Sequence, residues 1–168
     1  MYGAIRYAIL FTAVVILQVL LFNNLDLSIY FCPLVYAAFI ILLPMDMPPV
    51  AVLLLGLLAG AANDWLAGQP ATNTLAVLPV AFMRSGVLNI LVGKDMVHEG
   101  GIPSVARIGM GKFYRYATVM TVLHCTIFFT LEAMSFSYYG LTLLRIAVSS
   151  AATVVLMRVA EMLFVSEP

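Results

Sequence analysis

Residues 56–70 read Gly-Leu-Leu-Ala-Gly-Ala-Ala-Asn-Asp-Trp-Leu-Ala-Gly-Gln-Pro. The stretch opens on hydrocarbon and small side chains, then sets Asn63 beside Asp64 before any turn signal. Gly56, Gly60 and Asp64 are spaced by four, so in a helix they share one face. Gly56 and Gly60 form a G-x-x-x-G step, which lets a neighbouring backbone come close. The ridge has two readings: packing inside one bundle, or a seam on which another protein's helix docks. A carboxylate on that ridge should face protein or water and not lipid.

The rest of the chain has the same character. Of 168 residues, 64% are hydrophobic and 10% charged, against roughly a quarter charged in a soluble domain. The composition defines an all-α integral membrane protein, and the length allows a single transmembrane helical domain over 1–168. A span needs about 20 apolar residues. Six such runs occur, at roughly 4–22, 28–44, 49–66, 73–93, 113–133 and 141–164, and they predict six transmembrane helices in one bundle. The first run ends in Leu-Phe-Asn-Asn-Leu (21–25), without the small-residue cleavage site of a signal peptide, and reads as a retained span. Pro33 suits the first turn of the second run. Pro44-Met-Asp-Met-Pro-Pro49 breaks the chain before the third. Thr72, Asn73 and Thr74 are N-cap residues for the fourth, inside which Pro79 should introduce a kink.

Outside the runs, basic residues gather at the N-terminus (Arg6) and in the connection 94–112 (Lys94, Arg107, Lys112), with Arg115 and Arg158 near the same side. The connections 23–27, 67–72 and 134–140 hold no Lys or Arg. The positive-inside rule therefore predicts both termini in the cytoplasm. The basic residues Lys94, Arg107, Lys112 and Arg115 either contact anionic lipid headgroups or serve only to fix topology.

Several chemistries are excluded. Net charge is zero, and there is no basic stripe for nucleic acid. Gly111-Lys112 has the end of a P-loop, but Ala106 and Phe113 break the pattern. Two histidines give no metal set, and no nucleophile elbow or paired catalytic acids appear. Neither an enzyme nor a cofactor is expected. Cys32 and Cys125 lie in apolar runs and read as packing residues.

The remaining polar residues define a second candidate region. Arg145 lies about one turn into the last span, and Glu132 about one turn before the end of the fifth. The hairpin between them puts both at one depth. With Asp64 and Gln18 they form an expected outer polar layer, in which pairing offsets a burial cost of about 2.5–3.5 kcal/mol per charge at a helix centre. His124, near mid-span, is either a hydrogen-bonded core histidine or part of a proton relay with Glu132.

Read in order, a set of segments resembles the bacterial rod shape-determining protein MreD family. They are Gln-Val-Leu-Leu-Phe-Asn (18–23), Cys-Pro-Leu-Val-Tyr (32–36), Leu-Pro-Met-Asp-Met-Pro (43–48), the 56–70 helix, the helix ending near Arg84, Phe113-Tyr-Arg-Tyr, and "LHCTIFFTLEAMSF" (123–136). The chain departs from the family at Gln69-Pro70-Ala71-Thr72, where relatives carry a glycine turn, and at His124-Cys125, where relatives show paired histidines. The resemblance implies a non-enzymatic scaffold subunit of the cell-elongation machinery in the bacterial inner membrane. It would bind the single-span protein MreC and couple the cytoplasmic MreB filament to peptidoglycan synthesis by a SEDS-type glycosyltransferase and a class B penicillin-binding protein. The family is also similar in fold to the six-helix substrate-binding subunits of energy-coupling-factor vitamin transporters. A substrate-binding transporter subunit is accordingly the alternative function.

Overall fold

A computed structural model describes residues 36–68, 70–133 and 139–164. All regular structure among them is helical: α1 (Tyr36–Ile41), α2 (Pro49–Ala67), α3 (Thr72–Leu91), α4 (Lys94–His98), α5 (Val105–Ile108), α6 (Met110–Ala133) and α7 (Tyr139–Phe164). Four of these, α2, α3, α6 and α7, are long and apolar enough to cross a membrane. The expected first span, with Gln18, lies outside the described residues, as do Pro33 and Cys32.

The expected second span, 28–44, is described only from Tyr36, and its helix stops at Ile41. Residues 42–48 turn instead, because Pro44 and the Pro48-Pro49 pair cannot continue a helix. All six residues of α1 are buried. A helix that is apolar all round belongs inside the bundle, and α1 there touches α2, α3 and α6. Around it α2 packs on α3, α3 on α6, and α6 on α7.

α2 begins with Pro49 at its first position and ends at Gly68, whose φ of +64° closes the helix in the left-handed region. Its outward face carries Val50, Leu54, Leu58 and Trp65, all more than half exposed, while Val52, Gly56, Ala59, Gly60, Asn63 and Asp64 point inward. α3 runs unbroken through Pro79. Its N-cap is Ala71, held at φ +58°, where a Cβ costs about 1–2 kcal/mol. We expect Ala71→Gly to raise stability by up to about 1 kcal/mol, read as a later midpoint when helical circular dichroism is followed through an SDS titration. An unchanged or earlier midpoint would contradict the strained turn.

The connection 94–112 is itself folded. It holds α4 and α5, and α6 begins at Met110 rather than 113. Backbone and side-chain bonds tie it to the bundle. Met45 N–H donates to the Gly101 carbonyl at 2.9 Å, and Val105 N–H donates to the Glu161 carboxylate of α7 at 3.1 Å. Glu161 also pairs with Arg158.

Candidate functional site: the buried polar contacts of the bundle

Two short links, 68–71 between α2 and α3 and 134–138 between α6 and α7, place Asp64, Asn73, Glu132 and Arg145 toward one end of the bundle. Connection 94–109 and the 42–48 turn occupy the other end.

Asp64 is 6% exposed, and both carboxylate oxygens are engaged. Oδ1 accepts from Asn73 N at 2.8 Å and Asn73 Nδ2 at 3.0 Å. Oδ2 accepts from Thr74 N at 2.9 Å and Thr74 Oγ1 at 2.6 Å. The first turn of a helix leaves N–H groups without intrahelical partners. Asp64 supplies them from the preceding helix, and its charge also complements the positive end of the α3 dipole. The expectation that Thr72, Asn73 or Thr74 caps α3 is thereby corrected: Ala71 holds the cap position and no side chain caps from it. A loop hydroxyl was unnecessary once a carboxylate one turn from the end of α2 could reach across the short link.

Each bond to a charged acceptor contributes about 1.5–3 kcal/mol. In Asp64→Asn one oxygen becomes a donor facing donors, so a loss of about 2–3 kcal/mol is expected, measurable as an earlier SDS-unfolding midpoint. A midpoint within error of the parent would show that the cap contributes nothing.

The G-x-x-x-G ridge faces the same helix. A Cβ on Gly56 would stand 3.2 Å from Ala81 Cβ, and one on Gly60 would stand 2.5 Å from Thr74 Cα. The ridge is therefore filled by α3, which answers the choice between internal packing and an external seam in favour of packing.

The outer polar layer divides in two. Glu132 and Arg145 form an ion pair at 3.0 Å, and the Arg145 guanidinium lies 4.7 Å from the Phe129 ring centroid. Asp64 is bonded to α3 and is not part of that pair, because its oxygens are already saturated by the closer Asn73 and Thr74 donors. The pair is 36% and 23% exposed at its two side chains, which limits its worth to about 0.5–1 kcal/mol. A double-mutant cycle through Glu132→Gln and Arg145→Gln should give a coupling of that size, and additive single effects would count against the pair.

His124 is buried, and its Nε2 lies 2.8 Å from the Tyr36 hydroxyl. The ring stacks on Phe128 at 6.4 Å. Tyr36 also donates to the Asn73 carbonyl at 3.4 Å. Asp64, Asn73, Tyr36 and His124 thus form one line across α2, α3, α1 and α6. Glu132 is not in it; its partner is Arg145. His124 Nδ1 makes no hydrogen bond. Among the described residues no three His, Cys, Asp or Glu side chains are grouped to hold a metal.

Arg84, which the sequence reading sets near the end of its helix without a role, lies 2% exposed inside α3, which runs on to Leu91. It donates to the Leu43 carbonyl and to the Pro44 carbonyl at 3.3 Å. Tyr116 from α6 donates to the Ile41 carbonyl at 3.0 Å. Together they satisfy the carbonyls where α1 ends inside the bundle. The signal was present: Val77, Ala81, Arg84 and Leu88 recur at helical spacing, so Arg84 had to share the buried face.

At that end of the bundle the basic residues separate by role. Lys112 Nζ donates to the Val92 carbonyl at 2.8 Å, just past the end of α3. Arg107 donates to the Glu99 carbonyl at 3.1 Å. Arg115 Nε donates back to the Gly111 carbonyl at 3.1 Å, and Lys94 is exposed.

Compared with protein-family models, curated proteins and solved structures, the chain finds no match. What the fold defines on its own is a membrane protein of apolar helices.

Proposed function

We propose that this chain is a non-enzymatic membrane scaffold subunit of the bacterial cell-elongation complex. It binds an MreC-like single-span protein through its helices and couples cytoplasmic MreB to the SEDS-type glycosyltransferase and class B penicillin-binding protein that build the wall. It lies in the bacterial cytoplasmic membrane with both termini inside, since Lys94, Arg107, Lys112, Arg115 and Arg158 gather at one end of the bundle. The family resemblance along 18–136 supports this reading.

One observation favours a scaffold over the vitamin-transporter alternative. A transporter subunit needs polar groups that converge on a ligand. Here Asp64 is used by Asn73 and Thr74, and Glu132 by Arg145. These two contacts join neighbouring helices, and the outward faces beside them are apolar, which suits a protein that acts through helix contact.

The test is co-expression of the full tagged chain with an MreC-like single-span protein in a bacterial membrane, followed by solubilisation and affinity capture. The expected result is retention of the single-span protein in near-equal amount. Capture of paired ATPases or a bound small metabolite, with no single-span protein, would overturn the scaffold reading in favour of transport.

A further inference from the structure

The cations of the bundle are not all paired alike. Arg145 pairs with Glu132, and Arg158 with Glu161. Lys94, Lys112 and Arg115 form no ion pair among the described residues, yet the chain brings them to one place. Lys112 Nζ sits on the Val92 carbonyl, two residues before Lys94. Arg115 lies one turn beyond Lys112 and folds its guanidinium back to the Gly111 carbonyl. That is the direction a long basic side chain takes when it snorkels from an apolar span toward the polar boundary.

The surroundings match a bilayer edge. Ile90, one turn before Lys94, is 81% exposed and Met110 is 62% exposed. Both present hydrocarbon beside the cations. Asp95 is the acid next in sequence; it is exposed, forms no ion pair among the described residues, and leaves the group with an excess of positive charge. Arg107 is set apart, since its guanidinium lies over Gly101 and bonds the Glu99 carbonyl within the folded connection.

We infer that Lys94, Lys112 and Arg115, at the junction of the α3 C-terminus and the α6 N-terminus, form a binding site for the phosphate headgroup of an anionic phospholipid. The acyl chains lie along Ile90 and Met110. Charge complementarity selects the occupant: a headgroup supplies the counter-charge that no carboxylate of the described chain supplies, and only a lipid also covers the adjoining apolar side chains. The inference stands on the spanning helices and does not depend on the scaffold reading.

Each basic side chain near an anionic membrane surface contributes roughly fivefold in binding. The full chain in neutral detergent, incubated with phosphatidylglycerol or phosphatidylcholine, is examined by native mass spectrometry for bound lipid. Preferential retention of phosphatidylglycerol is expected, falling about 25-fold in Lys94→Gln/Arg115→Gln, about fivefold for each side chain removed. That double variant keeps the Lys112 contact to Val92, so its helical circular dichroism should match the parent. Arg107→Gln is expected to retain phosphatidylglycerol as the parent does. Equal retention of the two lipids, undiminished preference in the double variant, or an equal loss in Arg107→Gln would overturn the site. So would inorganic phosphate displacing the lipid at millimolar concentration, which would mark a free-anion site.

Discussion

Gly60→Leu is expected to separate α2 from α3 and to lower stability by more than about 3 kcal/mol, beyond the usual range for an overpacked core. The reason is what a side chain would meet. A Cβ at Gly60 stands 2.5 Å from Thr74 Cα, 3.0 Å from Thr74 N and 3.0 Å from Val77 Cγ1. Two of those atoms are backbone and cannot rotate away. Moving the Thr74 backbone also breaks the Asp64 cap, because Thr74 N and Oγ1 are half of its donors. Gly60→Ala is expected to cost about 1–3 kcal/mol by the same contact. Gly56→Ala should cost less, since its Cβ would meet only Ala81 Cβ at 3.2 Å. SDS-unfolding midpoints for the three variants should fall in the order Gly56→Ala, Gly60→Ala, Gly60→Leu, from least to most affected. Equal midpoints for the two alanine variants would contradict the close approach at Gly60.

Arg84→Met carries the second large effect. Methionine fills much of the arginine stem's volume but donates nothing to the Leu43 and Pro44 carbonyls. A buried polar group left without its partner costs about 1–3 kcal/mol. Relief of the desolvation of a buried guanidinium acts in the opposite direction. The carbonyls buried where α1 ends inside the bundle have little access to replacement water, so we expect a net loss of about 2–4 kcal/mol. Arg84→Lys should rescue only part of it, because a single ammonium lacks the fork that reaches two carbonyls. A methionine variant as stable as the parent would mean that the end of α1 is held by Tyr116 and packing alone.

Both effects arise from one constraint. In a bilayer each polar backbone group must be satisfied within the protein. The chain breaks its helices at 42–48 and 68–71 and then closes each break with a side chain from a neighbouring helix. Arg84 and Tyr116 serve the first, and Asp64 the second. Asp64, Arg84 and Tyr116 are thus fittings of the chain's own bends.

The sequence alone determined the class and the positions of the long helices. Apolar runs at 49–66, 73–93, 113–133 and 141–164 correspond to Pro49–Ala67, Thr72–Leu91, Met110–Ala133 and Tyr139–Phe164. Length and hydropathy are local properties, and prolines stop helices wherever the chain goes, so both are legible without a fold. Glu132 and Arg145 were also within reach, because few residues separate the two apolar runs, and a short connection leaves their facing ends at one depth. Only the tertiary structure decided that Asp64 bonds Asn73 and Thr74, that the Gly56–Gly60 ridge meets α3, that Arg84 lies inside, and that 94–112 is folded against the bundle. A hydrogen bond is settled within about half an ångström. Hydropathy says that a residue lies in the membrane, but which donor comes that close depends on how the helices cross.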